Sequence, residues 1–123
     1  MILSNKDLNF LNVARLLADL SEERKKHGAV VVKSGRVVGT GFNKFKNHPL
    51  SVLPDQIKTH CSRHAEQVAI RQAGKHTKGA ILYVARINNQ GLDRNSKPCY
   101  VCAKLIKNSG IKKVIYTVEE ECP

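Results

Sequence analysis

Apolar residues near the start of the chain recur at helical spacing. Four of them, separated by three or four positions, form one stripe: Leu8, Leu11, Ala14 and Ala18. This spacing is typical of an amphipathic helix that packs on a core. Ser4 precedes the stripe as a candidate N-cap, and the charged group at residues 22–26 follows it. We therefore predict a first helix between these two boundaries.

Four short apolar runs predict β-strands at residues 27–33, 36–41, 80–86 and 113–117. Ser34-Gly35 is a two-residue turn between the first two runs, so these two strands are expected to form an antiparallel hairpin. Helical segments separate the later runs from one another. This alternation implies parallel pairing with right-handed crossovers.

Two further helices are predicted, one at residues 62–73 and one from Cys99 to about Asn108, with Gly110 as its C-cap. The segment at residues 45–63 is too long for a simple connector, so we expect a functional loop or a short helix there. The polar segment at residues 88–97 is predicted as a loop. The order αββαβαβ predicts one α/β domain, residues 1–123, with a mixed sheet of about four to five strands.

The chain carries a formal net charge of +11, and the positive charge is concentrated in its central part. Residues 24–118 contain nineteen Lys and Arg residues and only three acidic residues. Such a field attracts phosphate, on a free nucleotide or on a polynucleotide. The apolar runs are too short to span a membrane and no targeting segment is visible, so we expect a reducing, cytoplasmic setting.

Two short motifs carry candidate metal chemistry: His64-Ala65-Glu66 and Pro98-Cys99-Tyr100-Val101-Cys102. An imidazole and two thiolates suit zinc, and a catalytic zinc keeps three protein ligands and one open position for water. Both motifs are predicted in first helical turns, with Pro98 at the first helical position, where a proline is favoured. We therefore predict one Zn²⁺ per chain, bound by His64, Cys99 and Cys102.

Glu66 is the predicted catalytic residue. Two thiolates neutralise the charge of zinc, so a nearby carboxylate is needed to take the proton of the water that zinc binds. Attack of this water on an amidine carbon, such as C4 of cytosine, with proton return by Glu66, would release ammonia. The motifs thus favour a hydrolytic deamination.

A structural zinc site is the alternative. Cys61 lies three residues before His64, so Cys61, His64, Cys99 and Cys102 could form a closed cluster with no open position. Glu66 and Pro98 argue against it, because a structural zinc knuckle needs neither. A disulfide framework is not favoured, since the 123 residues contain four cysteines.

These motifs, together with Gly28-Ala29-Val30-Val31 and Val114-Ile115-Tyr116, resemble the cytidine deaminase superfamily, most nearly its small deoxycytidylate deaminases. The resemblance implies a three-layer fold with helices on both faces of the sheet, and a homo-oligomer. It implies that His64, Cys99 and Cys102 bind zinc, that Glu66 shuttles protons and that Asn43 holds the substrate sugar. A turn residue is the alternative for Asn43. The expected substrate contacts are Phe42, Asn43, Lys44, Ala65 and Lys97.

The chain departs from the superfamily pattern in two places. Many relatives pass from the third strand almost directly into Pro-Cys, whereas residues 88–97 intervene here. The structure of the relatives therefore does not predict the pocket wall on this side. The chain also stops soon after the last predicted strand, without the closing helix and strand of many relatives.

Three functions remain open from the sequence. The first is deamination of a free cytosine nucleotide such as dCMP, with Lys44, Lys46, Arg94 or Lys97 binding its phosphate; each of these could instead be a solvated surface residue. The second is deamination of cytosine or adenine in single-stranded DNA or RNA, which the positive charge would suit. The third is a non-enzymatic, zinc-stabilised module that binds nucleic acid. Few aromatic residues are available for stacking, which favours the first.

Overall fold

The computed structural model describes residues 3–45 and 62–119. Within these residues, three α-helices and one short 3₁₀ helix, Gly74–Thr77, accompany seven strands. The α-helices are α1 (Asn5–Asp19), α2 (Ala65–Ala73) and α3 (Tyr100–Ser109). The strands are β1 (Lys26–Lys33), β2 (Arg36–Phe42), β3 (Lys44–Phe45), β4 (Ser62–Arg63), β5 (Ile81–Ile87), β6 (Asp93–Arg94) and β7 (Lys113–Tyr116). In the described part of the chain, no helix has the length and apolar character needed to cross a membrane.

Five of the strands form one mixed sheet in which β5 is central. β1 pairs antiparallel with both β2 and β5. On its other side, β5 pairs parallel with β7, and the last two residues of β5 pair antiparallel with β6. The predicted hairpin is confirmed, and Ser34 and Gly35 turn it with φ angles of 53° and 76°. Two residues in the left-handed region match the twist of the flanking strands.

The prediction of parallel pairing is correct for β5 and β7 but wrong for β2. β1 lies between β2 and β5 and is antiparallel to both, so β2 runs in the same direction as β5 without being its neighbour. Burial explains this arrangement, because five consecutive residues of β1, 28–32, are buried, and such strands occupy the middle of a sheet covered on both faces.

The two faces of the sheet are covered by different helices. On one face, Leu11 and Ala14 of α1 pack with Val30, Tyr83 and other residues of β1 and β5. On the other face, buried residues of α2 and α3 pack with alternate residues of the same strands: Ala65, Ala69, Ile70, Ala73, Ile106, Ala29, Val31, Leu82 and Val84. The result is the expected three-layer α/β/α arrangement.

Local boundaries correct three predictions. Ser62–Arg63 pairs with Lys44–Phe45 as a small ribbon, so these two residues do not belong to the second helix. The predicted loop at residues 88–97 contains β6, which is held by backbone pairing with the end of β5. Pro98 precedes the N-cap of α3 and is not its first residue. Most of the segment predicted as a functional loop, residues 46–61, lies outside the described residues.

Candidate metal centre and active site

The start of α2 is fixed by its close approach to β2. A Cβ at Gly41 would lie 2.5 Å from the carbonyl oxygen of Ala65, and one at Gly39 would lie 2.2 Å from that of Ala69. The helix can therefore lie directly on the strand only because both residues lack a side chain. His64 is the N-cap of this helix, with extended backbone angles (φ −73°, ψ 137°). The prediction placed His64 in the first turn, but it lies one residue before that turn.

Gly41→Ala is expected to destabilise the fold by about 1–3 kcal/mol, because its methyl group meets backbone that cannot rotate away. Since that backbone is the start of α2, the variant should also weaken zinc binding. Gly28→Ala is the matched control, because its Cβ would lie 2.1 Å from the carbonyl oxygen of Ala14 on the opposite face of the sheet. Thermal unfolding and competition with a chromophoric chelator measure the two effects. Equal weakening of zinc binding in both variants would contradict this assignment.

The start of α3 is fixed by a buried hydroxyl network at the end of β5. Ser96 Oγ donates to the carbonyl oxygen of Val84 at 2.9 Å and lies 2.8 Å from Thr117 Oγ1. The Thr117 amide donates to Ser96 Oγ at 2.8 Å. These bonds anchor the chain three residues before Cys99, which is the N-cap of α3. Cys102 follows in the first turn and is fully buried.

The two helix starts bring three candidate ligands together. His64 Nδ1 lies 3.3 Å from Cys102 Sγ and 3.7 Å from Cys99 Sγ. Tetrahedral zinc with normal bond lengths separates such a nitrogen and sulfur by about 3.6 Å. All three ligand atoms lie within 4.8 Å of one another, and within residues 3–45 and 62–119 these residues form the single candidate metal cluster. Cys61 of the alternative closed cluster lies outside the described residues.

The acid–base chemistry of the cluster fits a divalent cation. Burial raises the pKa of the Cys102 thiol well above its ordinary value, and the neighbouring charges of Glu66 and Cys99 raise it further. Without a cation, two thiolates and a carboxylate at this spacing would repel one another in a medium that solvates them poorly. A bound zinc ion compensates these charges and favours the thiolates. The residues present therefore fit the metal.

Glu66 lies in the first turn of α2 and is 4% exposed. Burial raises the pKa of its carboxyl, whereas a backbone hydrogen bond, His64 and Cys102 act in the opposite direction. A carboxylate held in such a balance beside the three ligands can accept a proton and return it. The two residues of the motif thus occupy different positions at the start of α2. His64, the candidate ligand, precedes the first turn, and Glu66, the candidate acid–base group, lies within it.

The expected substrate contacts occupy different environments. Asn43 is buried, and its side-chain amide donates to the carbonyl oxygen of Lys25 at 2.6 Å and accepts from the amide of His27 at 2.8 Å. Ala65 is fully buried and Phe42 is partly buried, while Lys44 and Lys97 are exposed. The structure therefore gives Asn43 a role in bracing β1, and its role in holding a sugar stays a prediction.

Two residues near the centre were missed by the sequence analysis. His27 and Arg86 are directly opposite each other on β1 and β5. Burial, followed by the charges of Arg86 and His64, lowers the pKa of His27 to about 4. One feature of the sequence could have indicated Arg86, because it is the single charged residue in β5, whose other residues are apolar. Arg94, one of the residues predicted to bind phosphate, forms an ion pair with Glu119 at 2.6 Å, and its role in binding phosphate stays a prediction.

Comparison with known proteins agrees with this site. The profile of the cytidine and deoxycytidylate deaminase zinc-binding region matches residues 4–118. The chain belongs to this family. The deoxycytidylate deaminase of Mycobacterium phage D29 is 36% identical over 131 residues, which cover 92% of this chain and 94% of that protein. The predicted resemblance, fold and zinc chemistry are thereby confirmed at the level of the family.

Solved structures and other relatives widen the comparison. The crystal structure of the dCMP deaminase from cyanophage S-TIM5 in complex with dCMP and dUMP superposes with a TM-score of 0.70 at 27% sequence identity, covering 94% of this chain and 83% of that chain. A tRNA-specific adenosine deaminase of Buchnera aphidicola is 31% identical over 115 residues, which cover 92% of this chain and 66% of that protein. Membership of this family indicates a hydrolytic deaminase, and the relatives differ in their substrates.

Proposed function

We propose that this protein is a zinc-dependent deaminase of the cytosine base in a free nucleotide such as dCMP. The observation that carries the proposal is the convergence of His64, Cys99 and Cys102 beside the buried carboxyl of Glu66. The relative from phage D29, which this chain matches over almost its whole length, is a deoxycytidylate deaminase. One zinc ion per chain, a homo-oligomeric assembly and a cytoplasmic location are part of this proposal.

His64, Cys99 and Cys102 would hold the metal, which when bound would supply Lewis-acid activation of a water molecule. Glu66 would accept one proton from the attacking water as the oxygen of this water adds to C4 of the base. The carboxyl would donate this proton to N3 of the ring. It would then take the second proton from the hydroxyl group formed at C4 and pass it to the departing amino group, which leaves as ammonia. The reaction consumes one water and exchanges the amino group of cytosine for an oxygen, so the product is the uracil nucleotide.

Free nucleotides are favoured over polynucleotides by the surface around the site. Tyr100 is 81% exposed beside Cys99, and Phe42 is the other aromatic residue near the site whose side chain is described. Binding of single strands without sequence preference usually combines a basic groove with several stacking aromatics. Lys44 and Lys97, the two lysines expected as substrate contacts, are exposed, and two such residues would suit one phosphate better than a chain of them.

Ammonia release from a panel of deoxycytidine, dCMP, CMP, AMP and short single-stranded oligomers tests the proposal. We expect turnover of dCMP, with a higher KM for deoxycytidine because the phosphate contact is missing. Salt should act weakly on dCMP, since few counterions are released. Turnover of oligomers alone would overturn the free-nucleotide assignment, and absence of turnover on the whole panel would overturn the cytosine assignment.

Deamination of a base within an RNA or DNA strand is the second candidate. It is supported by the net charge of +11 and by the relative that is a tRNA-specific adenosine deaminase. In that case, the logarithm of the binding constant for a single-stranded substrate should fall linearly with the logarithm of the salt concentration, with a slope of about −0.7 per phosphate contact. A steep salt slope with an oligomer, together with no turnover of any mononucleotide, would establish this candidate.

A further inference from the structure

The side chains of Arg86 and His27 lie next to each other on the sheet face that carries the metal centre. Ala29 and Val31 of β1 and Leu82 and Val84 of β5 face α2 and α3. Because side chains alternate along a strand, His27 and Arg86 point to the same face.

The backbone brings these two side chains close together. The amide and the carbonyl of His27 both bond to Asn43, on the side away from β5. The amide of Arg86 donates to Thr117 Oγ1 at 3.1 Å, on the side away from β1. The pair is therefore of the non-hydrogen-bonded type, in which opposite Cβ atoms are roughly 4.5–5.5 Å apart.

The packing of α2 places His64 above this pair. Ala69 lies over Gly39 and Ala65 lies over Gly41. The first residues of α2 therefore lie over the last residues of β2, and the two elements run in opposite directions. His64 precedes Ala65 and therefore lies beyond Gly41, toward the end of β2 and Asn43, which bonds to His27. The contribution of His64 to lowering the pKa of His27 agrees with this placement. His27 and Arg86 thus form part of the floor of the site.

Arg86 carries a charge that nothing in the described structure neutralises. Its Nε is buried and has no hydrogen-bond partner among the described residues. The ion pairs found there join Arg15 with Asp93, Lys26 with Asp19 and Arg94 with Glu119. His27 cannot compensate the charge, because an imidazole is either neutral or positively charged. A buried guanidinium donor without an acceptor is costly, so an acceptor from outside the chain is expected.

We propose that Arg86 is a substrate-binding residue, whose guanidinium donates to an oxygen acceptor of the substrate from the floor of the zinc site beside His27. The acceptor is either the phosphate of the nucleotide, which can accept two parallel hydrogen bonds from a guanidinium, or the carbonyl oxygen of the base, which can accept one or two. This inference rests on the proposed deaminase function and adds a specificity-determining residue to it.

The test compares Arg86→Gln with Arg36→Gln, using dCMP and deoxycytidine as substrates. Arg36 is exposed at the start of β2, and both variants lose the same charge. Loss of charge-assisted hydrogen bonds should lower kcat/KM of Arg86→Gln roughly 10- to 100-fold, mostly through KM, while Arg36→Gln stays within two-fold of the parent. A loss confined to dCMP identifies the phosphate as the acceptor, and an equal loss with both substrates identifies the base carbonyl.

A second variant keeps the test valid if Arg86→Gln folds poorly. His27→Asp places a carboxylate directly opposite Arg86 and supplies an internal acceptor, so it should raise KM by a similar factor through competition for the guanidinium.

The competing explanation is an internal partner. The carboxyl oxygen Oε1 of Glu23 is also buried without a partner among the described residues. If Arg86 pairs with Glu23 in solution, Glu23→Gln and Arg86→Gln should lower the melting temperature equally and leave KM unchanged. That result, or unchanged KM in both Arg86→Gln and His27→Asp, overturns the inference while the parent enzyme still deaminates dCMP. No turnover by the parent would instead count against the proposed function.

Discussion

Glu66→Ala is expected to lose nearly all turnover while it keeps its zinc and its fold. A positioned general acid–base group contributes about 10²- to 10⁴-fold to a rate, and here one carboxyl serves the activation of water, the protonation of the ring and the departure of ammonia. The side chain is buried in the first turn of α2 and does not belong to the three candidate ligands. Steady-state kinetics, metal analysis and circular dichroism on the same preparation separate these effects.

Gln67→Ala is a suitable control for this prediction. Gln67 is the next residue of the same helix and is partly exposed, so its truncation tests whether any change in this turn impairs the enzyme. We expect activity close to that of the parent. If Glu66→Ala retained activity within a few-fold of the parent, the carboxyl would have no part in proton transfer, and activation of the water would depend on the metal alone.

The elements of this fold were predictable wherever the relevant interactions are local. Ser4 caps α1 by accepting the amide of Asp7 at 3.1 Å, as its position before the apolar stripe indicated. Gly110 ends α3 with φ 84°, in the left-handed region that glycine adopts without strain. The three candidate ligands were also predictable, because their residue types and spacing carry the chemistry of zinc.

Long-range pairing explains what the sequence analysis missed. Ser62 and Arg63 continue a helical pattern in sequence, but pairing with Lys44–Phe45 takes them into β4 and makes His64 an N-cap. The insertion of β1 between β2 and β5 likewise depends on which strands meet in space. The same insertion brings His27 opposite Arg86, a contact between residues that are far apart in the chain.

The largest combined loss is expected for Cys102→Ala, which should abolish zinc binding, activity and part of the stability together. Cys102 is fully buried between Glu66 and the other two candidate ligands, so no water-exposed group can replace its sulfur. Metal analysis should show zinc falling from one per chain to a trace. If free zinc is 1,000 times its dissociation constant, bound zinc adds about 4 kcal/mol to the free energy of unfolding. Its loss should lower the melting temperature by roughly 15 °C.

A chelator distinguishes loss of metal from the cavity that truncation leaves. Chelation should lower the melting temperature of the parent protein but leave that of Cys102→Ala unchanged, because the variant has no zinc to lose. Cys61→Ala provides the decisive comparison. An open catalytic centre needs His64, Cys99 and Cys102, so Cys61→Ala should keep its zinc, its activity and its response to the chelator. Loss of zinc from Cys61→Ala would instead mean that four ligands close the site, leaving no position at which water could be activated, and the deaminase mechanism would fail with it.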